Sequence, residues 1–212
     1  MTEYQEHNPV NRQEDNTEAI VQNHGRKPVV RGLIFIWEVL QVVIIALAIV
    51  VPIRFFVFQP FIVKGASMEP SFHGGDYLII DEITYRFREP ERGEIVVFKY
   101  PLDTSQRFIK RIIGLPGEKV DVDKGRIVIT SPLGEKKFLD ETLYISIPLS
   151  EMQLENASLT LGPNQYFVMG DNRTHSFDSR SWGAMDRKDI IGKVIFRAWP
   201  PLDVSYFNAP QY

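Results

Sequence analysis

Residues Leu33 to Phe58, LIFIWEVLQVVIIALAIVVPIRFFVF, carry only two charges, Glu38 and Arg54. The uncharged run Val39–Ile53 would extend about 22 Å as a helix, short of the roughly 30 Å hydrocarbon core of a bilayer. Starting the span at Leu33 supplies the missing length if Glu38 lies near the interface or finds a partner, with Trp37 beside it as an interfacial anchor. The pattern predicts an anchor segment over 33–58 and, within it, one transmembrane helix of about 20 residues ending near Pro52. Two other readings compete. A short apolar run also suits the buried core helix of a soluble domain, and a basic region before an apolar stretch is also how a cleaved signal peptide begins. The flanks favour the anchor. Arg26, Lys27 and Arg31 precede the segment, which predicts a cytoplasmic N-terminus and places residues 59–212 outside the cytoplasm. No small-x-small cleavage site follows directly, where the chain continues RFFVFQPFIVK.

Residues 1–31 are rich in Asn, Gln, Glu, Asp and Arg, with a single aromatic, Tyr4, and no apolar periodicity. They read as a disordered cytoplasmic tail. The net charge of −3 argues against nucleic acid as a partner, because phosphate binding calls for a basic surface. With no cysteine, disulfides, thiolate metal sites and a cysteine nucleophile are excluded. His7, His24, His73 and His175 have no metal-ligand spacing, so neither a metal nor another cofactor is expected. Catalysis, if any, falls to oxygen and nitrogen side chains.

After residue 60 the pattern changes to short apolar or alternating runs bounded by Gly, Pro, Asp and Asn. Strands are predicted at Tyr77–Ile80, Glu94–Tyr100, Phe108–Ile113, Arg126–Thr130, Gln165–Met169 and Lys193–Trp199, with a tight turn at Asp123-Lys124-Gly125. No helix-period segment of comparable strength follows. The expected fold of residues 59–212 is mainly β: antiparallel packed sheets or a distorted barrel, with residues 118–163 as an inserted small β lobe.

Three stretches carry candidate chemistry. In Lys64-Gly65-Ala66-Ser67-Met68-Glu69-Pro70-Ser71, small residues before Ser67 let a substrate backbone approach, and Pro70 restricts the loop that follows. By itself this is an ordinary loop, where a serine forms turns. In Phe108–Ile113, strand alternation puts Lys110 on one face with Phe108 and Ile112, and Arg111 on the other with Ile109 and Ile113. Apolar neighbours disfavour the ammonium form and would free Lys110 to act as a base; the default alternative is a solvated lysine on an edge strand. The third stretch, Met169 to Gly183, gathers two Asp, two Arg, an Asn and three Ser directly after an apolar strand. Such a loop is either solvated or satisfied by its own hydrogen bonds and ion pairs.

Taken together, SMEPS (67–71), RGEIVVFKYP (92–101), KRIIGLPGE (110–118) and GDNRTHSFDSR (170–180), in that order, resemble the type I signal peptidases over roughly residues 35–200. The resemblance implies a membrane-bound endopeptidase that removes signal peptides from exported preproteins after small-x-small sites. It implies Ser67 as nucleophile, Lys110 as general base and Ser176 as the group that orients Lys110. It further implies the backbone N–H of Ser67 as an oxyanion donor and structural ion pairing among Arg111, Asp171, Asp178 and Arg180. Some members add a hydroxyl two residues before the nucleophile; Gly65 stands there in this chain, which leaves the second donor unassigned. Signal peptides and the lipid bilayer are the expected partners, and Val63 and Met68 are candidates for shallow substrate pockets. Two rivals remain: a relative of the self-cleaving Ser–Lys repressors, although no DNA-binding domain is readable before residue 60, and a catalytically silent, membrane-tethered β module.

Overall fold

A computed structural model describes residues 28–56, 58–145, 156–210 and 212. Most of the predicted tail, residues 1–27, lies outside the described residues; its last four, 28–31, are helical, and proline's fixed φ suits the first position of a helix. The chain divides into two units, one ending at Ala48 and the other running from Ile49 to Tyr212.

Helix α1 spans Pro28–Phe56. Its apolar stretch Gly32–Val51, 20 residues with a mean hydropathy of 2.8, is exposed throughout and long enough to cross a bilayer. The apolar span ends at Val51, next to Pro52, as expected, but the helix itself continues through the proline to Phe56. Proline removes one amide from the helical ladder, and a helix can kink and continue past that loss.

The second unit is built from strands β1 (Phe58–Ile62), β2 (Tyr77–Asp81), β3 (Ile95–Tyr100), β4 (Asp103–Gly114), β5 (Lys119–Asp123), β6 (Arg126–Thr130), β7 (Lys136–Phe138), β8 (Ala157–Thr160), β9 (Gln165–Met169), β10 (Met185–Asp186), β11 (Ile190–Trp199) and β12 (Ser205–Tyr206), with a one-turn helix α2 (Ser179–Trp182). They form two antiparallel sheets. The larger runs β1-β2-β11-β3-β4-β9-β10, with β12 added to β11, and the smaller β7-β6-β5-β8. The large sheet is open, so among the described residues there is no closed barrel. The small sheet, formed entirely between Lys119 and Thr160, occupies the region read as an inserted lobe. Its β5–β6 hairpin turns at Lys124 (φ 44°) and Gly125 (φ 77°), two successive positive values that match a two-residue turn to strand twist.

Apolar alternation explains the packing. One face of the large sheet contributes Leu78, Ile80, Ile95, Val97, Ile109 and Val194 to a cluster closed by Val63, Met68 and Phe72 from the loop between β1 and β2. The opposite face buries Val96, Phe98, Ile112, Val168 and Met185. A third cluster joins the sheets, setting Ile113, Phe167 and Met169 against Val120, Val122, Ile127 and Ile129. Gly114 lies at that junction. A Cβ there would come within 3 Å of the side chains of Leu161 and Phe167 and closer still to Val120, so the crossing needs glycine.

Candidate active site

The loop after β1 is drawn shut at its base, where the Val63 N–H donates to the Asp76 carbonyl (2.9 Å) and the Gly75 N–H to the Val63 carbonyl (3.0 Å). Met68 and Phe72 insert into the core, which fixes the loop over the sheet and leaves Ser67 between them and the cleft. β4 supplies the other half. Its inner residues Ile109 to Ile113 are all buried because β3 and β9 flank the strand and apolar clusters cover both faces.

These elements bring Ser67 and Lys110, 43 residues apart in sequence, into contact. Lys110 Nζ lies 2.7 Å from Ser67 Oγ and donates to the Ile109 carbonyl at 2.9 Å. It also sits 5.6 Å from the centre of the Phe108 ring. Lys110 is only 4% exposed. Burial is the largest influence on its pKa and lowers it to about 8, against the Asp178 and Asp171 carboxylates, which pull it up. A substantial fraction of neutral amine next to a hydroxyl is what general-base activation of a serine requires.

The other predicted residues form two separate pairs. Arg111 makes a two-point contact with Asp171 (Nε–Oδ1 2.8 Å, Nη2–Oδ2 2.6 Å), donates to the Gly93 carbonyl and lies over the Tyr144 ring. Asp171 also accepts from the Ser71 hydroxyl at 2.6 Å, tying this pair to the loop that carries Ser67. Arg180 makes a similar contact with Asp178 (both 2.8 Å), and Asp178 accepts from the Gly170 N–H. Burial by itself would raise the Asp178 pKa; hydrogen bonds and charge from Arg180 outweigh it, and the carboxyl is lowered.

The expected hydrogen bond from Ser176 to Lys110 is absent. The Ser176 Oγ is buried and, among the described residues, has no partner of good geometry, although it is near enough to the Asp178 carboxylate to help hold that group ionised. Val63 and Met68 do not line the cleft. They are 2% and 0% exposed, because chain alternation turns Val63 inward and Met68 anchors the loop. The cleft, of about 750 Å³, is lined instead by Phe61, Ile62 and Lys64–Ser67 on one side and Ser105–Lys110 on the other, with His175 and Phe177. Among the described residues that line it, Lys110, Lys64 and Arg107 are the lysines and arginines, and none is a carboxylate.

Three features escape the motif reading. Gly170 lies so close to the site that a Cβ would collide with the Ser67 carbonyl oxygen and the Ser176 hydroxyl. Arg173, 1% exposed, pairs through both terminal nitrogens with the buried Glu141 and donates to the Gly170 carbonyl. Asn172 bonds the loop of Ser67 at two points. A glycine before an acidic residue and a lone Asn are too common as turn formers to single these out by sequence.

Among the described residues, no group of three or more His, Asp or Glu side chains could hold a metal ion. The family model of signal peptidase, peptidase S26, matches residues 36–199. A probable signal peptidase I-2 from Synechocystis is 40% identical over 169 residues, 77% of this chain and 73% of the relative. A signal peptidase I from Leptolyngbya laminosa is 34% identical, covering 77% of this chain and 79% of its own length. A signal peptidase IB from Staphylococcus aureus is 32% identical, covering 79% and 94%. A strand-borne buried lysine in contact with a loop serine, together with these matches, shows that the chain belongs to the signal peptidase I family of S26 peptidases.

Proposed function

We propose that this signal peptidase cleaves the signal peptides of preproteins with Ser67 as nucleophile and Lys110 as general base. The observation that supports the reading is the 2.7 Å contact between Ser67 Oγ and a lysine amine that is almost fully buried. With Lys110 neutral, the Ser67 hydroxyl donates its proton to Nζ as Oγ attacks the scissile carbonyl carbon. The Ser67 N–H stabilises the resulting oxyanion. Collapse expels the new amine, which takes the proton from Lys110, and leaves an ester on Ser67. Water then attacks that ester, giving its proton to Lys110, and release of the acid restores the serine.

The substrate lies extended between residues 61–66 and 105–110, with small side chains at the positions nearest Ser67. Ser176 acts on Lys110 rather than on substrate. Its hydroxyl is buried beside the Asp178 carboxylate with no hydrogen bond of good geometry among the described residues, and the lysine amine, with two hydrogen bonds, retains capacity for a third. Helix α1 anchors the enzyme in the cytoplasmic membrane, and the basic residues before it orient the β unit outward.

Cleavage of a detergent-solubilised preprotein by the full chain tests the assignment. Ser67→Ala and Lys110→Arg should both lose activity, since guanidinium stays protonated. The wild-type rate should rise with pH through about 8, because the base works only when deprotonated. Wild-type cleavage by either variant would refute the dyad.

A further inference from the structure

Ser67 presents two functional groups, its hydroxyl and its backbone N–H, and the contacts above account only for the first. The direction of an amide N–H is set by its peptide plane. Across a trans peptide the carbonyl of one residue and the N–H of the next point in opposite directions. The Ala66–Ser67 bond is trans, the cis peptides among the described residues being Glu69–Pro70 and Trp199–Pro200. Whatever holds the Ala66 carbonyl therefore aims the Ser67 N–H.

The Ala66 carbonyl accepts two hydrogen bonds: from the Glu69 N–H at 3.2 Å, inside the same loop, and from Asn172 Nδ2 at 3.1 Å. The first moves with the loop and cannot orient it against anything else. Asn172 lies three residues beyond the end of β9, which pairs with β4 through Met169 and Arg111, next to Lys110. The backbone N–H of Asn172 also donates to the Ser67 carbonyl at 3.1 Å, so one residue grips the peptide groups on both sides of the Ser67 α-carbon. Its Oδ1 faces the Thr174 hydroxyl at 3.3 Å and the His175 ring Nδ1 at 3.4 Å, which leaves Nδ2 for Ala66. Gly170 permits the close approach. Among the described residues the Ser67 N–H donates to no acceptor and is available to substrate.

We propose that Asn172 is a positioning residue for the oxyanion site: its side-chain amide holds the Ala66 carbonyl and thereby aims the Ser67 N–H at the carbonyl oxygen of the scissile bond. The inference rests on Ser67 being the nucleophile. It gives Asn172 a role distinct from that of Lys110, since the peptide it orients serves the developing negative charge and not the proton.

The test compares wild type, Asn172→Ala and Asn172→Asp in full-length enzyme, with Ser67→Ala as control. Two quantities are read: kcat and KM for a peptide with a small-x-small site, and Ki for the matching peptide aldehyde. The aldehyde forms a reversible tetrahedral adduct with a serine hydroxyl and so samples the oxyanion site. Asn172→Ala should lower kcat about 10- to 100-fold and weaken the aldehyde by a similar factor, on the scale of impaired oxyanion donors. KM and the pH midpoint of the rate should stay as in wild type. Asn172→Asp keeps the shape and the backbone bond but loses the donor, and should show the same losses on the alkaline plateau, where Lys110 is neutral. It therefore decides the matter if the alanine variant folds poorly. Unchanged kcat, a loss of kcat without weaker aldehyde binding, or a moved pH midpoint in Asn172→Ala would each overturn the role. Activity retained by Ser67→Ala would instead refute the nucleophile.

Discussion

The two sheets handle charge in opposite ways. In the small sheet, alternation is kept: Val120, Val122, Ile127 and Ile129 point inward, while Lys119 and Asp121 form an exposed ion pair on the outer side. In the large sheet, the inner half of β4 is covered on both faces, and two consecutive cations, Lys110 and Arg111, are buried there. Arg111 keeps its charge because Asp171, the Gly93 carbonyl and the Tyr144 ring receive it. Lys110 has no carboxylate in contact among the described residues, and burial favours its neutral form. A doubly covered strand thus holds one cation by pairing it and the other by easing the loss of its proton, and the second solution produces a base.

The comparison breaks most visibly at Arg111. Arg111→Met leaves the Asp171 carboxylate buried without its partner and should destabilise the enzyme by about 3–5 kcal/mol in denaturant unfolding. A loss below about 1 kcal/mol would mean that the pair does not carry the site.

The next effect has the opposite sign. Below pH 8 the folded state holds Lys110 charged against a pKa lowered from 10.5 to about 8. At about 1.4 kcal/mol per pH unit, Lys110→Met should therefore be more stable than wild type by about 3 kcal/mol at pH 7. Between pH 8 and 10.5 the unfolded chain binds the proton more readily than the folded one, so wild-type stability rises with pH and the gap closes. Paired melts of the two proteins across that window measure this. A gap that is flat with pH, or no gap at pH 7, would show that Lys110 is not strained by burial.

In the small sheet the same operation should be nearly silent. Lys119→Ala removes one member of an exposed pair and should change stability by less than about 0.5 kcal/mol. A larger loss would mean that the two sheets are not as different as their burial implies.

Legibility along the chain follows the same division. Strands with one or two buried faces announce themselves, so β2, β3, β6 and β9 lie where apolar runs predict them, and β11 contains the predicted run. β1 carries Pro60 and sits at the sheet edge, the place where a strand tolerates proline, and so its pattern is interrupted. β4 begins at Asp103, five residues before the predicted Phe108, because its outer half is exposed on both faces and has no alternation to read. Val63 and Met68, expected as pocket residues, are buried beneath the loop, and an apolar residue beside a cleft looks the same in sequence whether it lines the surface or anchors the loop from below.

What the sequence by itself determined was the local and the chemical: an apolar helix long enough to span a bilayer, a β unit, and a serine and a lysine in stretches that resemble one family. Periodicity and residue type carry that information, because they act within a few residues along the chain. What only the tertiary structure decided was which groups meet. That Lys110 Nζ touches Ser67 Oγ, that Arg111 takes Asp171, and that Asn172 grips the peptide before Ser67 all depend on segments 43 to 106 residues apart in sequence. Contacts at that range arise from packing and burial of the whole unit, for which a local pattern holds no signal.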